Sequence, residues 1–247
     1  MTPSAPSPPC TPAGTLDDTL KAQGFAVLPA AAVRQWVQPD AAALQTWLSG
    51  WDDLPSDNHL KDGGRYRRRR HSCFVVDGER VTLAPHRAHW QPLQYNALHG
   101  GMQRWFEPMA AEMVAHPAWP RLLVRLAAVG SAMRSAQPWF VEAHQFRIDT
   151  TDGIGRPTPE GAHRDGVDLV AVFMVARHGI KGAETRVFEA DGPNGQRFTL
   201  SEPWSVLLLD DERVIHESTP IQPLNDGALG WRDTLVVTLR RGGFQGD

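Results

Sequence analysis

The pattern of hydrophobic positions changes at about residue 138. Before that point, LDDTLKAQGFAVLPAAAVRQWV (16–37) predicts a short helix, a strand at Phe25–Leu28 and a second helix. A further helix is predicted from Asp40 to Trp47. Residues 100–133 carry apolar positions at helical spacing and predict two helices that separate near Pro117.

After Pro138 the chain becomes a series of short strand-like runs separated by Gly, Pro, Asn and Asp. Short strands without long intervening helices indicate an antiparallel sandwich or barrel rather than a doubly wound sheet. An earlier run, RYRRRRHSCFVV (65–76), predicts a strand that meets the hairpin signal Asp77-Gly78. The later runs are WFVEAHQFRI, VDLVAVFMVA, ETRVFEA, QRFTL, WSVLLLDD, RVIHES and TLVVTLRR.

These elements predict one mainly β domain with helical support, covering residues 15–247. We expect the helical support over about residues 15–137 and jelly-roll strands over about residues 65–95 and 138–241. Residues 1–14 are rich in Pro, Ser and Thr, and we expect a disordered tail there because they offer almost nothing to bury.

Composition and charge limit which cellular compartment and which partners we expect for this protein. The net charge of −3 argues against wholesale binding to nucleic acid or to a membrane surface. The two cysteines, Cys10 and Cys73, do not form a disulfide framework, which favours a reducing cytoplasm. We find no signal-peptide pattern, and no apolar run approaches the roughly 18 residues that span a bilayer. We therefore expect a cytoplasmic protein with neither membrane nor nucleic-acid partners.

The first candidate for chemistry is the triplet His163-Arg164-Asp165. On or beside a strand, positions i and i+2 point to the same side, so His163 and Asp165 can reach one cation. Such a triplet arises readily by chance, so it needs a third ligand from a later strand. Two histidines lie downstream, His178 and His216, and we favour His216 because it lies where a strand returns after WSVLLLDD.

Two imidazoles and one carboxylate leave other positions of an octahedral ion open, which suits non-haem Fe(II) oxygenases. A structural zinc site would close four positions, usually with more cysteines than this chain has. On the last strand, Arg232 and Thr234 share one face and lead into Leu-Val-Val. A guanidinium there suits the distal carboxylate of 2-oxoglutarate. The alternative is an arginine that faces solvent at the start of the strand.

The order His163-x-Asp165, His216, Arg232-x-Thr234 resembles the pattern of Fe(II)/2-oxoglutarate dioxygenases. More narrowly, the chain is similar to the bacterial free amino-acid dioxygenases typified by isoleucine hydroxylase. One departure is Ala183 in KGAET, where the family pattern has a second glycine. The similar stretches are RYRRR (65–69), QYNALHGGMQRWFEP (94–108), HQFRI (144–148), TPEGAHRDGVD (158–168), KGAET (181–185), LLLDDERVIHESTPI (207–221) and WRDTLVVT (231–238).

The resemblance implies a double-stranded β-helix with N-terminal helices. It also implies Fe(II) held by His163, Asp165 and His216, with 2-oxoglutarate as cosubstrate and O2 as oxidant. The implied reaction is hydroxylation or sulfoxidation of a free L-amino acid, most simply an aliphatic one, with succinate and CO2 as products. In this reading Arg232 and Thr234 hold the far carboxylate of 2-oxoglutarate.

Six further residues are candidates for binding the cosubstrate or the amino acid. Gln145 and Arg147 share one face of the strand before the metal triplet. They point either into the barrel, Gln145 towards 2-oxoglutarate, or into solvent. Glu160 is a candidate for the substrate ammonium and Arg67 for its carboxylate, with Arg65 and Arg147 as alternatives. Asn96 is a further polar candidate. Loop capping or a solvated face is the competing interpretation of each substrate residue.

The run Arg67–Arg70 and the metal pattern leave other functions open. Four consecutive arginines are compatible with a nucleic-acid demethylase, but strand residues alternate faces, so only two point each way. We expect some to line the substrate mouth and others to pair with surface acids. A metal-dependent jelly-roll enzyme that does not use 2-oxoglutarate, or a binding protein on the same fold, are the remaining alternatives.

Overall fold

The computed structural model describes residues 6–247. A 3-10 turn at Ala13–Thr15 precedes the first helix, and a second 3-10 turn covers Trp47–Trp51. The helix predicted from Asp40 begins only at Ala43, whereas the break at Pro117 lies where the sequence places it. The helices are α1 (Leu16–Gln23), α2 (Ala30–Trp36), α3 (Ala43–Thr46), α4 (Ala111–Ala115) and α5 (Ala118–Met133).

The strands form one large antiparallel sheet and two small ones, as a jelly roll requires. The large sheet has the order β1-β9-β5-β12-β4-β2-β3, and the small sheets have the orders β10-β7-β8 and β11-β6. The predicted runs all appear, and two short strands, β6 and β11, are additional. The strands are β1 (Phe25–Leu28), β2 (Arg67–Asp77), β3 (Arg80–Leu83), β4 (Trp139–Asp149), β5 (Leu169–His178), β6 (Ile180–Gly182), β7 (Thr185–Glu189), β8 (Gly195–Phe198), β9 (Val206–Asp210), β10 (Val214–Ser218), β11 (Ile221–Pro223) and β12 (Trp231–Arg240).

Strand β5 shows why the central strands are apolar at every position. Leu169, Ala171 and Phe173 belong to the core between the large sheet and the helices. Val170 and Met174 alternate with them and belong to a second core, against the small sheet. Because successive side chains point to opposite faces and both faces are covered, a continuous apolar run is the expected sequence.

The helical segment is joined to the sheet by a buried tryptophan. The indole Nε1 of Trp51 lies 3.1 Å from the carbonyl oxygen of Phe146 on β4 and 3.3 Å from that of Thr234 on β12. Both carbonyls belong to residues whose side chains face the opposite side of the sheet. The helical support therefore holds two strands of the large sheet from behind. Within residues 6–247, no helix is both long and apolar enough to cross a membrane.

The N-terminal residues differ in part from the expected disordered tail of residues 1–14. Residues 1–5 of that prediction lie outside the described part of the chain. Further on, Cys10 forms a parallel bridge with Val27, and the backbone N–H of Thr11 donates to the Val27 carbonyl at 2.7 Å. The end of the predicted tail is therefore paired with the outer edge of β1, because that strand offers free backbone groups there.

Candidate active site

His163 and His216 are brought together by backbone pairing. His163 lies in the loop between β4 and β5, and its N–H and C=O both bond to His216 on β10, at 3.0 and 2.9 Å. The Nε2 atoms of the two rings lie 3.8 Å from Oδ1 and Oδ2 of Asp165, respectively. His178, the other downstream candidate, instead stacks on Trp231 with 4.3 Å between ring centroids.

This donor set fits a divalent cation. Nδ1 of His163 lies 2.9 Å from the Gly161 carbonyl, which can only accept, so Nδ1 carries the proton and Nε2 keeps a free lone pair. Burial opposes a charge on His163, but Asp165 and Glu160 outweigh it and raise its pKa. Burial, together with the charge of His163, lowers the pKa of His216 well below its ordinary value. Two imidazoles and a carboxylate on one side of a cavity suit Fe(II) and leave coordination positions open.

The carboxylate of Asp211 holds the loop that carries Asp165. It accepts hydrogen bonds from the backbone N–H groups of Asp165, Gly166 and Val167, at 3.0, 2.7 and 3.0 Å. Gly166 has φ +79°, and a Cβ built there would lie 2.3 Å from the ring of Tyr95. Only glycine fits this turn without strain, which accounts for the glycine directly after Asp165.

A buried guanidinium that forms no ion pair within residues 6–247 lies elsewhere in the same cavity. Arg232 on β12 is 5% exposed, and its Nε has no hydrogen-bond partner among residues 6–247. Burial and the charge of Arg177 lower the pKa of Arg232 to about 10, still far above neutral. Thr234 lines the cavity beside it. A buried cation with a free donor is the chemistry that a carboxylate of 2-oxoglutarate requires.

Of the two interpretations of Gln145 and Arg147, the one that points them into the barrel is wrong. Gln145 donates to the carbonyl of Gly50 in the helical support, at 3.2 Å. Arg147 makes a two-pronged pair with Asp233, at 2.8 Å for both bonds, on the face away from the cavity. The residues of β4 that line the cavity are the alternating set Glu142, His144, Phe146 and Ile148. A shift of one residue along a strand exchanges its two faces.

The arginine run alternates, so it does not form one basic surface. Arg67 and Arg69 are buried and line the cavity. Arg68 and Arg70 lie on the other face and pair with acids, Arg70 with Glu107 at 2.9 Å. This division removes the observation that favoured a nucleic-acid substrate.

The substrate candidates Glu160, Arg67 and Asn96 all line the cavity. Arg67 pairs with buried Asp57 at 2.7 Å, and its Nη2 has no partner within the described chain. Glu160 Oε1 lies 3.6 Å from His163 Nε2, and its Oε2 is buried without a partner among the described residues. Asn96 donates to the side-chain oxygen of Gln91 at 3.1 Å, so it supports the wall. Arg65, a further candidate for the substrate carboxylate, is exposed and pairs with Asp152.

A hydrogen-bonded chain that the sequence does not predict reaches the metal site. Arg104 donates to Gln91 Oε1 at 2.9 Å, and Gln91 Nε2 donates to Asp165 Oδ1 at 3.2 Å. Three further residues of the cavity wall are also not predicted from the sequence, His89, Glu142 and His144. Arg104 and His144 lie within stretches similar to the dioxygenases, whereas Gln91 and His89 lie in an irregular segment without periodicity. The similarity therefore offered a signal for two of these residues.

Comparison with known proteins agrees with an Fe(II)- and 2-oxoglutarate-binding site. The family model described as 2OG-Fe dioxygenase matches residues 49–238. A solved structure described as a bsmA homolog from Methylobium petroleophilum PM1 is 54% identical, with 96% of each chain covered and a TM-score of 0.90. No curated protein matches the chain.

Two more distant solved structures share the fold. IDO from Bacillus thuringiensis is 16% identical, with 92% of this chain and 95% of that chain covered and a TM-score of 0.75. TqaL, described as an Fe(II)/(alpha)ketoglutarate-dependent dioxygenase, is 19% identical, with 94% and 88% covered and a TM-score of 0.68. At these identities the likeness concerns the fold alone.

Proposed function

The chain belongs to the 2OG-Fe dioxygenase family, and from this premise we propose that it hydroxylates or sulfoxidises a free L-amino acid. Fe(II), 2-oxoglutarate and O2 are its cofactors, as in the family.

The supporting observation is a set of buried polar atoms that are unpartnered within residues 6–247 and match a zwitterion. Arg67 Nη2 and Arg104 Nε are buried donors, and Glu160 Oε2 is a buried acceptor. All three residues line the cavity that holds the metal group. Buried polar groups left without partners are rare in folded proteins, so such a set indicates a ligand that supplies them. An α-carboxylate at the arginines and an α-ammonium at Glu160 satisfy all three.

The two arginines converge in the manner of an anion site. Burial and the nearby charge of Arg67 lower the pKa of Arg104 to about 10, so the Arg104 guanidinium stays charged at neutral pH. Of these two cations, Arg67 already has a carboxylate partner, Asp57, whereas the side chain of Arg104 bonds, among the described residues, only to the neutral amide of Gln91. A substrate carboxylate supplies the missing anion.

The chain's own residues position the cofactors. His163, Asp165 and His216 hold Fe(II), and Arg232 with Thr234 holds the far carboxylate of 2-oxoglutarate. When bound, these cofactors and O2 supply the oxidation, in which 2-oxoglutarate becomes succinate and CO2 and one oxygen atom enters the substrate. Gln91 keeps Asp165 oriented and connects it to Arg104, so the carboxylate site and the metal site share one rigid wall.

The compartment and the absence of a nucleic-acid partner also remain part of the proposal. Both cysteines are free, Cys10 exposed and Cys73 buried, which is consistent with a reducing cytoplasm. The buried or acid-paired state of the run Arg67–Arg70 supports a small-molecule substrate over a nucleic acid.

The test is to incubate protein purified without oxygen with Fe(II), 2-oxoglutarate and the twenty free amino acids, and to measure succinate after adding O2. At least one amino acid should raise succinate well above the substrate-free rate. Its N-acetyl and carboxamide derivatives should fail, because each removes one charge of the zwitterion. No stimulation by any amino acid would refute the proposal. His216→Ala should abolish turnover, whereas His178→Ala, outside the cavity, should keep it.

A further inference from the structure

One side of the cavity is a cluster of three histidines around a single carboxylate. Glu142 Oε2 lies 2.9 Å from His71 Nε2, 2.7 Å from His89 Nδ1 and 3.9 Å from His144 Nε2. All four residues are at least 91% buried. Glu142, His89 and His144 line the same cavity as the metal group, and neither the metal nor the zwitterion uses them.

The hydrogen bonds fix the position of the proton on each ring that faces the cavity. Arg69 Nη2 lies 2.8 Å from His144 Nδ1, and because a guanidinium only donates, that nitrogen accepts and Nε2 of His144 carries the proton. His89 donates from Nδ1 to Glu142, so its Nε2 is a bare acceptor. Neither Nε2 has a hydrogen-bond partner within 3.5 Å in the described chain. The side of the cavity that His89 and His144 form therefore presents one acceptor, Nε2 of His89, and one donor, the Nε2–H of His144.

Both rings are neutral and the carboxylate is charged. Burial lowers the pKa of His89 to about 4 and that of His144 well below its ordinary value. Burial alone would raise the pKa of Glu142, but His89 and His71 outweigh it and hold that pKa well below its usual range. Arg69 is fixed between the rings of Phe106 and Phe146, with its guanidinium carbon 3.9 and 4.4 Å from their centroids. The wall is thus rigid before any ligand arrives.

These bonds argue against a second metal ion, although three histidines and a glutamate are a ligand set that zinc accepts. A metal on Nε2 of His144 would move the ring proton to Nδ1, where it would face an N–H of Arg69 at 2.8 Å. In metal sites the other ring nitrogen of each histidine usually donates to an acceptor, and Nδ1 of His71 has none among residues 6–247.

The charges of the cavity leave no place for an ionised side chain. Asp57 lies 2.7 Å from Arg67 and 3.8 Å from Arg69, and Glu142 supplies a second carboxylate on the other side of His144 from Arg69. The zwitterion occupies the free donors of Arg67 and Arg104 and the free acceptor of Glu160. An additional buried charge would have no partner and would be strongly disfavoured.

We propose that the substrate is a free amino acid whose uncharged side chain ends in a group that both accepts and donates a hydrogen bond, a carboxamide or a hydroxyl. This inference rests on the proposed function and replaces the aliphatic side chain expected from the family resemblance. His144 donates to the side-chain oxygen, and His89 accepts from its N–H or O–H. An aliphatic side chain of the same shape leaves both nitrogens unpaired when it displaces water.

Isosteric pairs of amino acids test the inference on the wild-type holoenzyme. Asparagine against leucine and threonine against valine differ in polarity at nearly constant shape. We expect the better polar member to exceed its isostere by about tenfold or more in kcat/KM for succinate formation, because the isostere leaves buried polar groups unpaired. Equal or greater turnover of leucine or valine would overturn the inference while leaving the proposed function intact. No turnover of any amino acid would overturn both.

A variant at His89 separates recognition from folding. His89→Asn keeps a donor at the position of Nδ1, facing Glu142, but removes Nε2. In calorimetric titrations of the Fe(II)- and 2-oxoglutarate-loaded protein without oxygen, it should weaken binding of the polar amino acid about tenfold and that of its isostere little. His86→Asn, outside the cavity, is the matched control and should change neither. An equal loss for both isosteres would contradict a contact at Nε2.

Metal analysis tests the alternative use of the same cluster. A variant that carries both His163→Ala and Asp165→Ala should bind no zinc or iron at stoichiometric level, since the cluster around Glu142 holds hydrogen bonds only. One tightly bound metal ion per chain in that variant would show that the cluster is a metal site, and the hydrogen-bonding wall would be refuted.

Discussion

Acidification should destabilise the protein through His89, and the size of the effect follows from the burial of this ring. Burial lowers the pKa of His89 from 6.5 to about 4. The unfolded chain therefore binds a proton there below about pH 6.5, whereas the folded chain does not until about pH 4. The contribution of neutral His89 to the free energy of unfolding is complete above about pH 6.5 and is lost as the pH falls towards 4. Since one pKa unit corresponds to about 1.4 kcal/mol, the loss at His89 alone reaches about 3 kcal/mol.

Urea unfolding followed by tryptophan fluorescence, in EDTA at several pH values between 7 and 4.5, measures this loss. His71 and His144, whose pKa values burial also lowers, contribute in the same direction, so the total slope in the wild type is steeper. The matched variant is His89→Asn, which does not titrate. Its free energy of unfolding should fall less steeply, by up to about 1.4 kcal/mol per pH unit between pH 6 and 4.5. Identical slopes would mean that His89 is not held neutral in the folded protein, which would refute the reasoning.

Three further substitutions address the metal loop and the cosubstrate. Arg232→Ala should raise the KM for 2-oxoglutarate about 10- to 100-fold in succinate assays, because a buried charged hydrogen bond is lost, whereas Arg240→Ala on the same strand should not. Asp211→Ala frees three backbone N–H groups and should weaken Fe(II) binding about tenfold or more in anaerobic titrations. Gly166→Ala should lower the free energy of unfolding by about 2 kcal/mol or more. The control Gly63→Ala, which has a similar φ but open space around it, should lower it by only about 1 kcal/mol. Equal losses would contradict the clash with Tyr95.

The strands and the metal triplet are readable from the sequence because strong local patterns specify them. Continuous apolar runs such as that of β5 identify strands buried on both faces. The i, i+2 spacing of His163 and Asp165, followed by the returning strand of His216, brings the three residues together as expected. Strands β6 and β11, of three residues each, are too short for a periodic signal.

The sequence does not predict which face of β4 points to the cavity, because both faces of HQFRI carry polar residues. Gln145 and Arg147 bond to Gly50 and Asp233, while His144 faces the cavity. Which face is inner depends on contacts with distant segments. Ala183 is a milder case: it adopts φ 54°, the left-handed region that favours the family's glycine, at a cost of about 1 kcal/mol. The turn is therefore kept although the residue differs.

The pairing of Thr11 with Val27 bears on how copies of this protein meet in concentrated solution. Without it, β1 would end the seven-stranded sheet with a row of free backbone donors and acceptors, on which another chain can add a strand. The short N-terminal segment occupies part of that row. It thereby blocks part of the edge at which another chain could add a strand, and so opposes edge-to-edge aggregation at this end of the sheet.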